Sequence, residues 1–397
     1  MSDHGLQFLL VSAVATTVPV RLGFMPESEA IPDPDHPGLR RAGPRSSAPY
    51  GSERVEFHTC AATDLTTTGV DDIDLLGAGF DAVDLSELEP LQQACARVRR
   101  AGRVTDADAT EIRSALDGAS LRSASGRRLR VLYLADEGFI MRSAGPNGLS
   151  VVGPRSVGMN GHGGATSIHI DQDVYGTPLT QVMDGRAPSL FVHDSPDGRT
   201  DDAALLLVNL WIPLQQIVQP LVLADGRSID RRRHQLRFGL PTGTFLDRDD
   251  EMSINDIWTM LHDDGQRWYL CSEMDHRSAW MFNTLSTAHG AGTLPGEDVA
   301  AMYHGMVEAA EAAVARSDEA AVAELAAGFT PPVAADGTPP ALRSAIAAMS
   351  SVLNEAWAHP ADVCGERAED WLAVAGEARR SVVRMSLELR LVVSLED

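Results

Sequence analysis

Eight short apolar runs between residues 129 and 283, separated by Gly, Pro and Asp turns, confine this chain to an antiparallel β architecture. They fall at 129–141, 165–171, 190–193, 204–214, 221–224, 236–240, 268–272 and 279–283. The character then changes. Residues 297–379 are rich in Ala and Glu with helical periodicity, interrupted at Thr330-Pro331-Pro332 and Thr338-Pro339-Pro340, and 382–394 return to β-branched alternation. The expected fold class is a mainly β core with α: a double-stranded β-helix (jelly roll, cupin-like) with flanking helices and a helical insertion before the last core strand. The expected partition is 1–128 as an N-terminal strand, loop and helical region packed on the core, 129–294 plus 380–397 as the core, and 295–379 as the insertion. A packing or interaction role, including a homodimer surface, is the expectation for the insertion.

Upstream of the core, the apolar run 6–20 contains Ala13-Val14-Ala15 but has Asp3 and no Arg before it, so it reads as a strand and not as a secretion signal. Residues 26–54, with Pro32-Asp33-Pro34-Asp35-His36-Pro37, read as a loop. From Asp84 the pattern is helical. Ser86 and Glu89 have the spacing of a capping box ahead of Leu91, Ala94 and Val98, and Thr105 opens a second helix that Gly118 ends. Both helices are expected outside the barrel.

The formal net charge of -23 disfavours nucleic acid and anionic membranes as partners. None of the 397 residues is Lys, so Arg is the only fixed cation and lysine Schiff-base chemistry is excluded. Cys60, Cys95, Cys271 and Cys364 are widely spaced, as free thiols of a cytoplasmic, reducing compartment would be. No stretch is long and apolar enough to cross a bilayer.

The chemistry concentrates at His169-Ile170-Asp171, because a histidine and a carboxylate two apart on a strand share a face and can bind one metal ion. Alone, such a triplet is as readily a polar pair in a loop. Its completing ligand is His289, which follows the run 279–283; His162, His262, His276 and His304 are alternatives in loops, at strand borders or on the insertion. Two imidazoles and one carboxylate on one face leave metal positions open for a co-substrate and O2, the ligand set of mononuclear non-haem Fe(II) oxygenases. Arg384 and Ser386, also two apart, are suited to the far carboxylate of 2-oxoglutarate. Arg390, six residues on, shares their face by parity but lies too far along the strand to reach the same carboxylate.

Several stretches together carry a family likeness: His169-Ile170-Asp171-Gln172, Asn209-Leu210-Trp211-Ile212-Pro213, Pro220-Leu221 with Asp225 and Arg227-Ser228, Arg267-Trp268-Tyr269, Thr287-Ala288-His289-Gly290, and Arg384-Met385-Ser386-Leu387-Glu388-Leu389-Arg390. In these the chain resembles the Fe(II)/2-oxoglutarate hydroxylase/desaturase group of secondary metabolism that includes cephem-methoxylase-like proteins. The resemblance implies iron at His169, Asp171 and His289, Arg384 as co-substrate anchor, and Fe(II), 2-oxoglutarate and O2 as the chemical equipment. It implies oxidation of a small-molecule biosynthetic intermediate, as in antibiotic biosynthesis, by hydroxylation, desaturation or ring formation. Ile212 stands where the family often has Arg, and Gln266 where it often has His. Asn209, Trp211, Arg227 and Trp268 are candidates for the substrate pocket; the alternatives are a backbone cap for Asn209, core packing for the tryptophans and an ion pair for Arg227. An O2-dependent iron oxidase without 2-oxoglutarate and a non-catalytic partner subunit of the same fold are the competing functions. A zinc hydrolase is weaker, since no H-E-x-x-H occurs.

Overall fold

The computed structural model describes residues 16–43, 55–68, 73–135, 138–152, 158–174, 186–196, 198–241 and 254–396. Eight strands make the core: β1 (Ile140–Ala144), β2 (His169–Ile170), β3 (Leu205–Gln215), β4 (Leu221–Ala224), β5 (Trp268–Leu270), β6 (Ser278–Asn283), β7 (His289–Ala291) and β8 (Arg384–Glu396). One sheet runs β1-β8-β3-β6 and the other β5-β4-β7-β2, every neighbouring pair antiparallel. Consecutive core strands change sheet at every step except β4 to β5, which is jelly-roll topology.

Both sheets are extended. Glu56–Asp64 and Thr16–Phe24 continue the second sheet beyond β5, while Ile254–Met260, Gln235–Pro241, Arg40–Ala42 and Ala30–Pro32 continue it beyond β2. On the first sheet, Phe80–Asp84, Ser120–Ser123 and Arg128–Leu134 lead from β6 back to β8 and close it on itself.

Strand alternation decides what each face of the first sheet carries. Met385, Leu387, Leu389 and Leu391 of β8 pack with Leu206, Val208, Leu210 and Ile212 of β3 in a core shared with helices α1 (Glu89–Ala101) and α2 (Asp106–Leu116). Those helices therefore lie outside the barrel. The opposite parity of β8, Arg384, Ser386, Glu388 and Arg390, is left for the interior. Ile212 is on the helix side and does not reach the interior.

Several local expectations need correction. Helix α1 starts after Leu88 with no side-chain cap and Pro90 in its first turn, whose missing N–H needs none; the Ser86 N–H instead donates to Asp84 Oδ1 (2.9 Å). Thr105 does cap α2, with Asp108 returning the bond, and the helix stops at Leu116 before the left-handed Gly118 (φ 65°). The run 129–141 is two strands, Arg128–Leu134 and β1, and 190–193 joins a short helix, Ala187–Leu190, to the strand His193–Ser195. Residues 30–32 and 40–42 of the supposed loop are paired strands, while 44–54 lie outside the described residues.

Between β7 and β8 come α3 (Glu297–Ala315), α4 (Glu319–Gly328), α5 (Pro340–Ala358) and α6 (Ala368–Ser381), packed around their own apolar core of Val307, Met349, Leu353, Trp371 and neighbours. Glu297, at the first position of α3, ties this bundle to the barrel. Its buried carboxylate accepts from the N–H groups of Asn147 (2.7 Å), Gln219 (2.8 Å) and Leu294 (2.9 Å) and from Gln219 Nε2 (2.7 Å). Among the described residues no helix is long and apolar enough to cross a membrane.

Candidate metal centre

His169 and His289 face each other directly across the β2–β7 pair, which brings their rings to 4.5 Å. Each ring is oriented by its own strand. His169 Nδ1 lies 2.8 Å from Ser167 O and His289 Nδ1 lies 3.0 Å from Thr287 O. A carbonyl only accepts, so each Nδ1 carries the proton and each Nε2 is left with a free lone pair. Both Nε2 atoms point at Asp171 Oδ1, at 3.4 Å from His169 and 3.6 Å from His289. The donor atoms of His169, Asp171 and His289 all lie within 4.8 Å of one another, a spacing that admits one metal ion. No other such group occurs among the described residues.

The second carboxylate oxygen is held from outside the triad. Asn209 Nδ2 donates to Asp171 Oδ2 (3.3 Å), and Arg390 Nη2 stands 3.4 Å from the same oxygen. Asp171 is thus set to offer Oδ1 to a metal while Oδ2 is engaged by partners that fix its orientation. Burial raises the Asp171 pKa, but His289, the His169 contact and Arg390 together outweigh it and hold the carboxyl well below the usual range. Burial pushes His289 down to about 4, against the pull of Asp171. At neutral pH His289 is therefore a neutral imidazole and Asp171 a carboxylate, the protonation states in which such groups bind a divalent cation.

Deeper in the barrel, Arg384 and Ser386 lie on the same face of β8 and are both fully buried. Arg384 Nη1 donates to Gln219 O (3.0 Å), and its guanidinium lies over the Trp211 ring at 5.9 Å. Neither Arg384 Nε nor Ser386 Oγ has a hydrogen-bond partner among the described residues. Glu388, the acid nearest along the strand, is taken by Arg142, whose Nε donates to it at 2.7 Å. Burial lowers the Arg384 pKa to about 10, which still leaves it charged at neutral pH.

The candidate pocket residues divide. Asn209 serves Asp171, and Trp211 packs inside the barrel with Trp280 and Phe282, the latter ring 4.4 Å from His289. Trp268 does not face the site: alternation on β5 sends it to the outer side of the sheet against Phe24 (5.7 Å), and its neighbour Tyr269 faces inward. Arg227 is a structural ion-pair residue, with Nε 2.8 Å and Nη2 2.9 Å from the oxygens of buried Asp225, which Arg267 shares at 2.8 Å. Gln266 is buried and donates to Leu261 O (2.9 Å). Of the other histidines, His162 bridges to Arg142 beside Glu388, His262 stacks on His58 at 4.0 Å, and His304 is buried in α3. The contact missed from the sequence is Arg390; its parity with Arg384 was visible, but not that a long side chain there reaches Asp171.

No protein-family model and no curated protein sequence matches the chain. Among solved structures it is similar to an iron and alpha-ketoglutarate-dependent endoperoxidase, NvfI, at 13% identity and TM-score 0.46, covering 96% of this chain and 98% of that one. A variant of the same enzyme matches at 14% identity and TM-score 0.47, with the same coverage.

Proposed function

We propose that this protein is a non-haem Fe(II) oxygenase that uses 2-oxoglutarate and O2 to oxidise a small organic molecule of secondary metabolism. The observation that carries the proposal is the pairing of two features in one barrel: three convergent metal donors at His169, Asp171 and His289, and a buried, unsatisfied Arg384–Ser386 face deeper inside. Both fit the groups proposed. The two Nε2 atoms and Asp171 Oδ1 form a facial set that would hold Fe(II), and the open Arg384 Nε and Ser386 Oγ are donors awaiting an anion. Gln219, which anchors Arg384, precedes β4, where Leu221 pairs with Ala291, two residues along β7 from His289.

Bound Fe(II), 2-oxoglutarate and O2 together supply an oxidant able to remove hydrogen from carbon. The chain's own residues do the rest. Ser167 O and Thr287 O keep the imidazoles in the ligating tautomer, Asn209 and Arg390 keep Asp171 in position, and Arg384 with Ser386 receives the distal carboxylate. Trp211, Trp280 and Phe282 make an apolar wall that excludes water and suits a carbon-rich substrate. Hydroxylation, desaturation and ring formation all begin from this arrangement. The test is aerobic turnover of the full-length protein with Fe(II), 2-oxoglutarate and a panel of small carbon-rich compounds. Succinate should form together with any oxidised product; an oxidised product with no succinate would instead identify an O2-dependent iron oxidase.

A further inference from the structure

A cleft of ≈ 950 Å3 lies away from the candidate metal centre, between the C-terminal ends of α1 and α6 and the barrel edge at β1 and β3. Among the described residues, four arginines line it: Arg99 and Arg100 from the last turn of α1, and Arg379 and Arg380 from the last turn of α6. Among the described residues only one lining residue is acidic, Glu377, in a chain where 56 acids outnumber 33 arginines. Cations at helix C-termini complement the helix dipole, which accounts for each pair by itself. It does not account for two such ends converging on one cleft, where the guanidinium groups repel one another.

The cleft also holds an unsatisfied buried side chain. His304 of α3 is 2% exposed, lines the cleft, and has no hydrogen-bond partner on either ring nitrogen among the described residues. Such a group is rare in a folded interior and calls for a missing partner. His276 joins it from the opposite wall with its Nδ1 also unpartnered. Arg379 is engaged by Glu311 (2.8 Å) and Glu308 (3.5 Å), whereas no carboxylate of the described residues stands within ion-pair distance of Arg99, Arg100 or Arg380.

We propose that this cleft binds a phosphate-bearing small molecule, its phosphate groups received by Arg99, Arg100 and Arg380 and by the imidazoles of His276 and His304. Donors that approach from several walls match a tetrahedral, multiply charged oxyanion better than a planar carboxylate, which two donors of one guanidinium satisfy. The volume is that of a small-molecule site and exceeds what a lone inorganic ion fills. Met385 points to the helix side while Arg384 points into the barrel, so this site is separated from the metal centre by β8 itself.

The test is calorimetric titration of the full-length protein with sodium pyrophosphate, in EDTA so that no metal takes part, with citrate as the carboxylate comparison. Wild type should bind pyrophosphate saturably at one site and more tightly than citrate. The variant Arg99→Gln/Arg380→Gln should weaken binding about tenfold or more, as loss of two charge-assisted contacts implies. A variant with the same charge change elsewhere, Arg232→Gln/Arg233→Gln, should stay within about twofold, as expected where only the general field changes. Both pairs are on exposed turns or helix ends, so folding is not at stake. The proposal is overturned by absence of saturable binding, by equal losses in the two variants, by no loss in either, or by citrate binding as tightly as pyrophosphate.

Discussion

Arg384 and Arg390 share one face of β8 and do different work, so their substitutions should separate cleanly. If Arg384 anchors the co-substrate as proposed, replacing it by Met should cost about 2 to 5 kcal/mol, or roughly thirty-fold to several-thousand-fold in 2-oxoglutarate binding, with metal affinity nearly intact. Replacing Arg390 by Gln leaves Asp171 Oδ2 with Asn209 alone and should weaken metal binding by about 10-fold or more, as loss of a ligand's orienting partner does. Metal and co-substrate titrations of both variants check the pair; equal effects on both ligands would refute the division. His289 adds a pH dependence. Unfolded, its imidazole titrates near the ordinary 6.5, while folded it refuses the proton until about 4. The stability it contributes is thus present above pH 6.5 and is lost as pH falls towards 4. The melting temperature of the metal-free protein should fall across that window, and less steeply in His289→Gln. Of these residues, His169, Asp171 and Arg384 were legible as candidates from a spacing of two, although Asp171 lies just past the end of β2, and His289 was legible only as a histidine that follows a strand-like run. Arg390 was not, because its contact depends on how two sheets face each other.

Among the elements, the joint between the helical bundle and the barrel rests on Glu297. Four N–H donors converge on its carboxylate from three separate segments, so Glu297→Ala strands buried donors and should cost about 3 kcal/mol or more. Urea unfolding measures this directly; an unchanged midpoint would show the joint to be carried by apolar packing instead. The bundle and the return to β8 were legible, since Ala-rich helical periodicity and β-branched alternation differ over long windows. The strand Ile254–Met260 escaped notice for a specific reason. Its Asp256 is buried beside Arg237 (3.3 Å) and Arg41 (3.8 Å), so a buried position that hydrophobic patterning expects to be apolar is charged. Asp33, buried against the same two arginines, disguised the Ala30–Pro32 and Arg40–Ala42 strands in the same way.

For the whole molecule, a formal charge of -23 with no Lys makes self-repulsion a general cost of compactness. Raising ionic strength from about 0.01 M to about 0.15 M shortens the screening length from roughly 30 Å to roughly 8 Å, so the melting temperature should rise with salt. A fall would mean that surface ion pairs outweigh the net charge. Against that charge the jelly roll holds several arginines: Arg384 donates to Gln219 O, Arg390 stands 3.4 Å from Asp171, and Arg142 is paired with Glu388. The proposed function requires 2-oxoglutarate to bind together with the metal. The most direct measurement is anaerobic calorimetric titration of 2-oxoglutarate into the full-length protein, with Fe(II) present and with Fe(II) absent. Saturation at one equivalent with Fe(II), and binding greatly weakened without it, is the predicted result; no binding in either case, or the same binding in both, would contradict it.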